Sequence, residues 1–261
     1  VRIVFIGDIV GRPGRRAVQR WLEANSADLC IANAENAAGG FGITEKVVKN
    51  LLSYGVHILT GGNHTFDRRE AYTFMDRYPV LRPANYPSGA PGKGFALLSI
   101  HNLKVLVINL MGRVFMNCLD NPFTTFDRIY AENPADVVVV DFHAEATSEK
   151  QAFAFYADGR ATAVIGTHTH VQTTDLRLLP KGTLYITDVG MCGALNSVIG
   201  MDVESGVLRF TRQLPVKFTV PKKPSAVQFS AVVFEVSKQG GVISYERIHK
   251  VYQRGEDGTY S

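Results

Sequence analysis

Five short apolar, largely β-branched runs, Arg2 to Ile6, Asp28 to Ala32, Val56 to Thr60, Asp136 to Val140 and Ala161 to Ile165, each lead directly into residues that can hold a metal ion. Gly7-Asp8 follows the first, Asn33-Ala34-Glu35-Asn36 the second and Gly61-Gly62-Asn63-His64 the third. Asp141-Phe142-His143 follows the fourth, and Gly166-Thr167-His168-Thr169-His170 the fifth. Runs of this length and composition read as buried strands. Ligands of open α/β sheets bind beyond the carboxyl ends of the strands. The chain must therefore adopt a fold that gathers five strand ends, from Asp8 to His170, at one edge.

The segments between these strands fit such a fold. Pro13 suits a first helical position, with Ala17, Val18, Trp21 and Leu22 on one face behind it. Helical patterns recur over Thr44 to Tyr54, Asp67 to Tyr78, Pro122 to Asn133 and Ser148 to Ala157. Gly94 to Ile100 and Lys104 to Leu110 are close enough to form an antiparallel hairpin. Leu176 to Leu179, Thr183 to Thr187, Ala226 to Val236 and Gly241 to Val251 read as further strands. Together they predict a mixed α/β architecture with two packed sheets and outer helices.

With 261 residues, 46% of them hydrophobic, the chain can bury a large core without disulfides or structural metals. No linker-like stretch divides it, so one domain over 1–261 is expected, and no apolar run approaches a membrane span. A soluble, cytoplasmic protein is the corresponding expectation. Cys30, Cys118 and Cys192 form no C-x-x-C pair and are expected to be reduced. The net charge of +4 favours anionic partners only slightly. Val216 to Ser225 reads as a long exposed loop whose Lys222-Lys223 pair is solvated surface. Gly11-Arg12-Pro13-Gly14 matches neither phosphate-loop pattern and reads as a tight turn.

Asp8, Glu35, Asn36, Asn63, His143, His168 and His170 are too many ligands for one tetrahedral zinc and suit two adjacent ions. Glu35 is the natural bridge, because a carboxylate offers two anionic oxygens where imidazole offers one useful nitrogen. If the chain is extended there, His168 and His170 point to one face about 7 Å apart. Mixed oxygen and nitrogen ligation without thiolate suits Mn, Fe or Zn, with Mg also open. Asp67 either orients His64 or caps the helix that follows, and Asp141 and Asp188 are candidate supports for ligating histidines. Arg113, in an apolar segment after a strand, is a candidate substrate contact. His57, His101 and His249 have no ligand-like neighbours.

At the Gly-Asp, Gly-Asn-His, lone-His and Gly-Thr-His-Thr-His blocks the sequence resembles the calcineurin-like metallophosphoesterase superfamily. Asp8-Ile9-Val10 lacks the usual Asp-x-His histidine, and Asn33-Ala34-Glu35-Asn36 replaces the usual Gly-Asp-x-x-Asp-Arg-Gly. Both departures are similar to the bacterial YmdB-like 2′,3′-cyclic-nucleotide phosphodiesterase branch. The resemblance implies a four-layer α/β/β/α sandwich with two mixed β-sheets. It implies Asp8, Glu35, Asn36 and His170 around one ion, and Glu35, Asn63, His143 and His168 around the other. His64 is then the general acid, with a hydroxide shared by two divalent or mixed-valence ions, Fe or Mn foremost, as nucleophile. The expected partner is a small phosphoester, a cyclic nucleotide first. A phosphomonoesterase or protein phosphatase is the enzymatic alternative, and a regulatory RNA- or protein-binding protein that keeps the metal fold is the other. Nucleic acid as a partner stays open, edge strands and loops leave room for self-association, and the missing Arg leaves the metals, Asn63 and backbone donors as candidates to hold the non-bridging phosphate oxygens.

Overall fold

A computed structural model describes residues 1–261. The amino-terminal half contains β1 (Arg2–Ile6), β2 (Asp8–Ile9), α1 (Gly11–Leu22), β3 (Leu29–Asn33), α2 (Glu45–Ser53), β4 (Ile58–Thr60) and α3 (Ala71–Phe74). It continues through β5 (Phe95–Ile100), β6 (Leu103–Met111), α4 (Pro122–Glu132), β7 (Val137–His143), α5 (Thr147–Ala157) and β8 (Ala163–Thr167). The remainder holds β9 (Arg177–Leu178), β10 (Leu184–Ile186), β11 (Met191–Ala194), α6 (Val203–Arg212), β12 (Ala226–Val236) and β13 (Val242–Gln253).

Two mixed sheets result. The first runs β2-β11-β12-β1-β3-β4, with β13 also paired to β12; the second runs β5-β6-β7-β8-β10-β9. In the first, β1, β3 and β4 are parallel and β12 is antiparallel to β1. In the second, β6, β7, β8 and β10 are parallel, flanked by antiparallel β5 and β9. Alternate residues of each strand point to opposite faces, and the burial follows that period. Ile3, Phe5, Leu29 and Ile31 meet Val105, Val107, Val137 and Val139 between the sheets. Val4, Ile6, Cys30 and Ala32 pack outward against Ala17, Val18 and Trp21 of α1 and Val48 and Leu51 of α2. Leu106, Ile108, Val138 and Val140 pack outward against Phe126, Ile129, Phe153 and Ala154 of α4 and α5. This is the expected four-layer α/β/β/α sandwich, and it explains why the central strands read as unbroken apolar runs.

Local signals account for most elements. Thr44 caps α2 by accepting from the Val47 N–H, and Asn121 caps α4 ahead of Pro122. The β5–β6 hairpin is tighter than its sequence suggests: Ile100 pairs with Leu103, leaving a two-residue turn at His101 and Asn102 with φ of 46° and 67°. Left-handed backbone at both positions is what a twisted hairpin needs.

Three sequence expectations change. The helix expected over Asp67 to Tyr78 contracts to the four residues of α3 and a 3₁₀ turn over Met75–Arg77, because residues before Ala71 turn around His64. The N-cap of α3 is Glu70, so Asp67 does not cap it. Strands β2 and β11 and helix α6 have no counterpart among the expected elements. The two strands are short and lack β-branched character in Met191-Cys192-Gly193-Ala194, while α6 buries only Gly206 and turns Val207 and Phe210 outward. Val216 to Ser225 carries no regular element, as expected, and all three cysteines are free. No helix is long and apolar enough to cross a membrane.

Candidate active site

The strand ends converge. Asp8 lies in β2 immediately after β1, Glu35 and Asn36 follow β3, Asn63 and His64 follow β4, His143 is the last residue of β7, and His168 and His170 follow β8. All seven residues expected as ligands meet in one buried region between the carboxyl ends of the two sheets. Asp8, Glu35, Asn36 and His143 are 2% exposed or less.

The expected ligands fall into two groups joined by Glu35. On one side the donor atoms of Glu35, His143 and His168 lie within 4.8 Å of one another. His143 Nε2 is 3.2 Å from Glu35 Oε1, 3.1 Å from His168 Nδ1 and 3.0 Å from Asn63 Oδ1. On the other side the Asn36 amide nitrogen is 3.2 Å from both Glu35 Oε1 and His170 Nε2, which is 3.7 Å from Asp8 Oδ1. Asp8 Oδ1 and Asn36 Oδ1 are buried without any hydrogen-bond partner. Buried oxygens are seldom left bare because the lost hydration is costly. Bare carboxylate and amide oxygens beside imidazole nitrogens form a donor set that fits cations, so the residues suit the two-metal expectation.

The charge balance agrees. Burial pushes the Asp8 carboxyl up, with His170 and His143 opposing it. Burial also works against Glu35, yet His143 and the His64 N–H hold its carboxyl down at about 2. The His143 ring resists burial because Glu35, Asp8 and Asp141 surround it, and is pushed up to about 9. Burial and the neighbouring His143 push His168 down to about 3. Without a cation the cluster needs a proton on one imidazole to balance its carboxylates.

Close approach explains one glycine. A Cβ at Gly62 would lie 2.2 Å from His143 Nε2 and 2.5 Å from Glu35 Oε2, so only glycine lets the loop after β4 carry Asn63 to the cluster.

His168 and His170 depart from expectation. They are not extended: their φ angles are 104° and 68°, left-handed conformations that cost energy in a non-glycine residue. The turn sends His168 toward His143 and His170 toward Asp8, into different groups instead of onto one face. It is held from behind by Asp188, whose Oδ2 accepts from the Thr169 N–H at 2.9 Å and hydroxyl at 2.8 Å. Lys150 pairs with the same oxygen at 2.8 Å, both side chains being 1% exposed. The His168 N–H also donates to Asp8 Oδ2 at 3.1 Å.

Further residues support the cluster from behind. Asp141 reaches His143 through a hydroxyl: Thr167 Oγ1 donates to Asp141 Oδ1 at 2.6 Å and lies 2.9 Å from His143 Nδ1. Asn33 accepts from the Glu35 N–H and donates to Asp141, and Asn109 holds both polar groups of the Gly61 backbone. Glu145 Oε2 lies 3.0 Å from His168 Nε2, and such carboxylate support orients a ligating imidazole. Thr167 and Asn33 lie within the blocks that follow the strands, and Asp141 is among the expected supports, whereas Asn109 and Glu145 carry no signal.

At the rim, His64 Nδ1 lies 2.7 Å from Asp67 Oδ2, its ring sits edge-on to Phe41, and its N–H donates to Glu35 Oε2 at 2.8 Å. Between the two sequence readings of Asp67, the geometry selects orientation of His64. His57, His101 and His249 lie elsewhere, bonded to the Cys30 N–H, Asp28 and Ser230. Arg113 is exposed, and only its backbone is anchored, through Glu149.

Comparison with known proteins identifies relatives over nearly the whole chain. The model of a family described as "YmdB-like protein" matches residues 4–248. The chain is 47% identical over 246 residues to the 2′,3′-cyclic-nucleotide 2′-phosphodiesterase of Bacillus subtilis (strain 168), covering 92% of each. It is similar to the crystal structure of a hypothetical protein from Thermus thermophilus, with TM-score 0.91, 44% identity and coverage of 96% of this chain and 99% of that one. A novel phosphatase from Mycoplasma pneumoniae gives TM-score 0.90 at 35% identity, covering 97% of this chain and 94% of that one.

Proposed function

Because this chain belongs to the YmdB-like protein family and is a phosphoester hydrolase, we propose that it opens 2′,3′-cyclic nucleotides at a dinuclear metal centre. The observation that carries the proposal is the split ligand set: bare Asp8 and Asn36 oxygens with His170 on one side, Asn63, His143 and His168 on the other, and Glu35 between them. Two divalent ions in those positions would neutralise the phosphate oxygens and lower the pKa of a water. The chain's residues supply the rest. The Asp188 and Asp141 networks hold the imidazoles in place, and Asn33 and Asn109 fix the loops that carry Glu35 and Asn63.

His64 supplies the proton. In-line attack by water on phosphorus breaks the P–O2′ bond, leaving a 3′-phosphomonoester and an O2′ that needs a proton. Asp67 occupies His64 Nδ1 and fixes the ring, which leaves Nε2 free to deliver that proton. Cleavage at O2′ accords with the bond named for the Bacillus subtilis relative. The Mycoplasma pneumoniae relative, named a phosphatase, keeps phosphomonoesters as the second substrate class.

The test is turnover of 2′,3′-cyclic AMP, 3′,5′-cyclic AMP and p-nitrophenyl phosphate with added Mn or Fe, for wild type, Glu35→Gln and His64→Ala. The expected result is metal-dependent opening of the 2′,3′ ring to 3′-AMP, lost in both variants, with metal retained by His64→Ala. Absence of turnover by fully metal-loaded wild type would overturn the reading and favour a regulatory scaffold.

A further inference from the structure

Away from the metal ligands, three distant segments bring like charges together. Arg12 and Arg16 of α1, Lys222 and Lys223 of the loop before β12, and Arg254 after β13 surround a surface hollow of about 180 Å³. Asp257 is the sole carboxylate among its lining residues. Five positive charges against one negative equal the +4 excess of the whole chain. Arg12, Lys222, Lys223 and Arg254 are exposed and make no ion pair within 4 Å, whereas Arg16 donates to the Gly258 carbonyl. Four of the five cations thus line one hollow with their polar heads available. Such an arrangement raises the local potential and costs self-repulsion unless an anion relieves it. The Lys222-Lys223 pair, unremarkable as sequence, acquires partners only in the fold.

The hollow is tied to the active site. The Gly11 N–H donates to the carbonyl of Asn36 at 2.9 Å, and Val220 packs over Gly11. A short stretch of chain therefore joins the Asn36 side of the metal centre to Arg12 and Lys222, and α1 carries no acidic residue in its first turn to offset them. A cyclic mononucleotide has one phosphate, which the metal centre would consume, and it cannot use a second cationic surface. A strand of RNA ending in a 2′,3′-cyclic phosphate has further phosphates upstream.

We infer that this basic hollow is a binding surface for the phosphate backbone of RNA whose 2′,3′-cyclic end occupies the active site. The inference rests on the cyclic-phosphodiesterase reading above and specifies its substrate as an RNA end in addition to a free nucleotide. Recognition is electrostatic and independent of sequence, as expected of cations without an aromatic stacking ladder.

The test uses the full chain and the triple variant Arg12→Gln/Lys222→Gln/Lys223→Gln. Anisotropy of a fluorescein-labelled hexauridylate with a 3′-hydroxyl end, titrated across salt, reads binding alone. Turnover of 2′,3′-cyclic UMP and of the same hexamer ending in a 2′,3′-cyclic phosphate reads catalysis. Three lost phosphate contacts should flatten the log–log salt slope by about 2 and weaken binding by up to about 100-fold at 0.1 M salt. Wild type should have at least a tenfold higher kcat/KM for the hexamer than for the mononucleotide at low salt, and the variant should lose that preference with mononucleotide turnover unchanged. Equal kcat/KM for both substrates in wild type, or an unaltered salt slope in the variant, would overturn the inference while leaving mononucleotide chemistry intact. Failure of the mononucleotide arm would instead strike the underlying reading, with the anisotropy still deciding whether RNA binds.

Discussion

At the scale of single residues, the proposed reaction assigns proton delivery to His64, whose ring Asp67 orients. Protonation matters in proportion to how poor the leaving group is. His64→Ala should therefore lower kcat for 2′,3′-cyclic AMP by about 10²- to 10⁴-fold, but have far less effect on bis(p-nitrophenyl) phosphate, whose phenolate leaves without help. Asp67→Asn should reproduce that substrate dependence at about tenfold, the loss of one charge-assisted hydrogen bond. Steady-state kinetics on the two esters checks both, and equal losses on the two substrates would remove His64 from proton transfer. The candidate ligands are legible in the sequence because Asp, Glu, Asn and His stand at the ends of apolar runs. Thr167, Asn109 and Glu145 are not, since their roles depend on which neighbouring element meets them.

At the scale of elements, the turn after β8 is the strained part of the site, and α5 holds it through Lys150 and Asp188. A lysine on a helix reads as a surface residue, and only the packing of α5 against the second sheet buries it. The directions of His168 and His170 escape the sequence for a related reason: the strand ends at Thr167, and the left-handed turn depends on the Asp188 bonds to Thr169. Lys150→Met removes one partner of a buried pair and leaves Asp188 charged in the interior. It should cost about 3–5 kcal/mol of stability, measured by urea unfolding of the metal-free protein. The same variant should bind Mn more weakly by calorimetry, because the His168-Thr169-His170 turn loses its anchor. A stability change below about 1 kcal/mol would show that Lys150 contributes little to holding the turn. The strands buried on both faces are readable from composition; β11 and α6 are not, the first for its brevity and the second for its outward apolar side.

At the scale of the whole molecule, the two sheets pack through Phe5, Ile31, Val107 and Val139 so that their carboxyl ends meet, and the candidate ligand groups come from both. Asp8, Glu35, Asn36 and Asn63 follow strands of the first sheet, while His143, His168 and His170 belong to or follow strands of the second. Metal binding should therefore clamp one sheet to the other. With free Mn about 1,000-fold above Kd, the native state gains about 4 kcal/mol, and Tm should fall by about 10 °C on chelation. Calorimetry with and without EDTA checks this, and an unchanged Tm would mean that the folded chain holds no stabilising ion. The most direct test of the dinuclear centre is anomalous X-ray diffraction from crystals soaked in Mn. Two peaks per chain are expected, one contacting Asp8, Asn36 and His170, the other contacting Asn63, His143 and His168, with Glu35 touching both. A single peak, or two that do not share Glu35, would contradict the dinuclear centre.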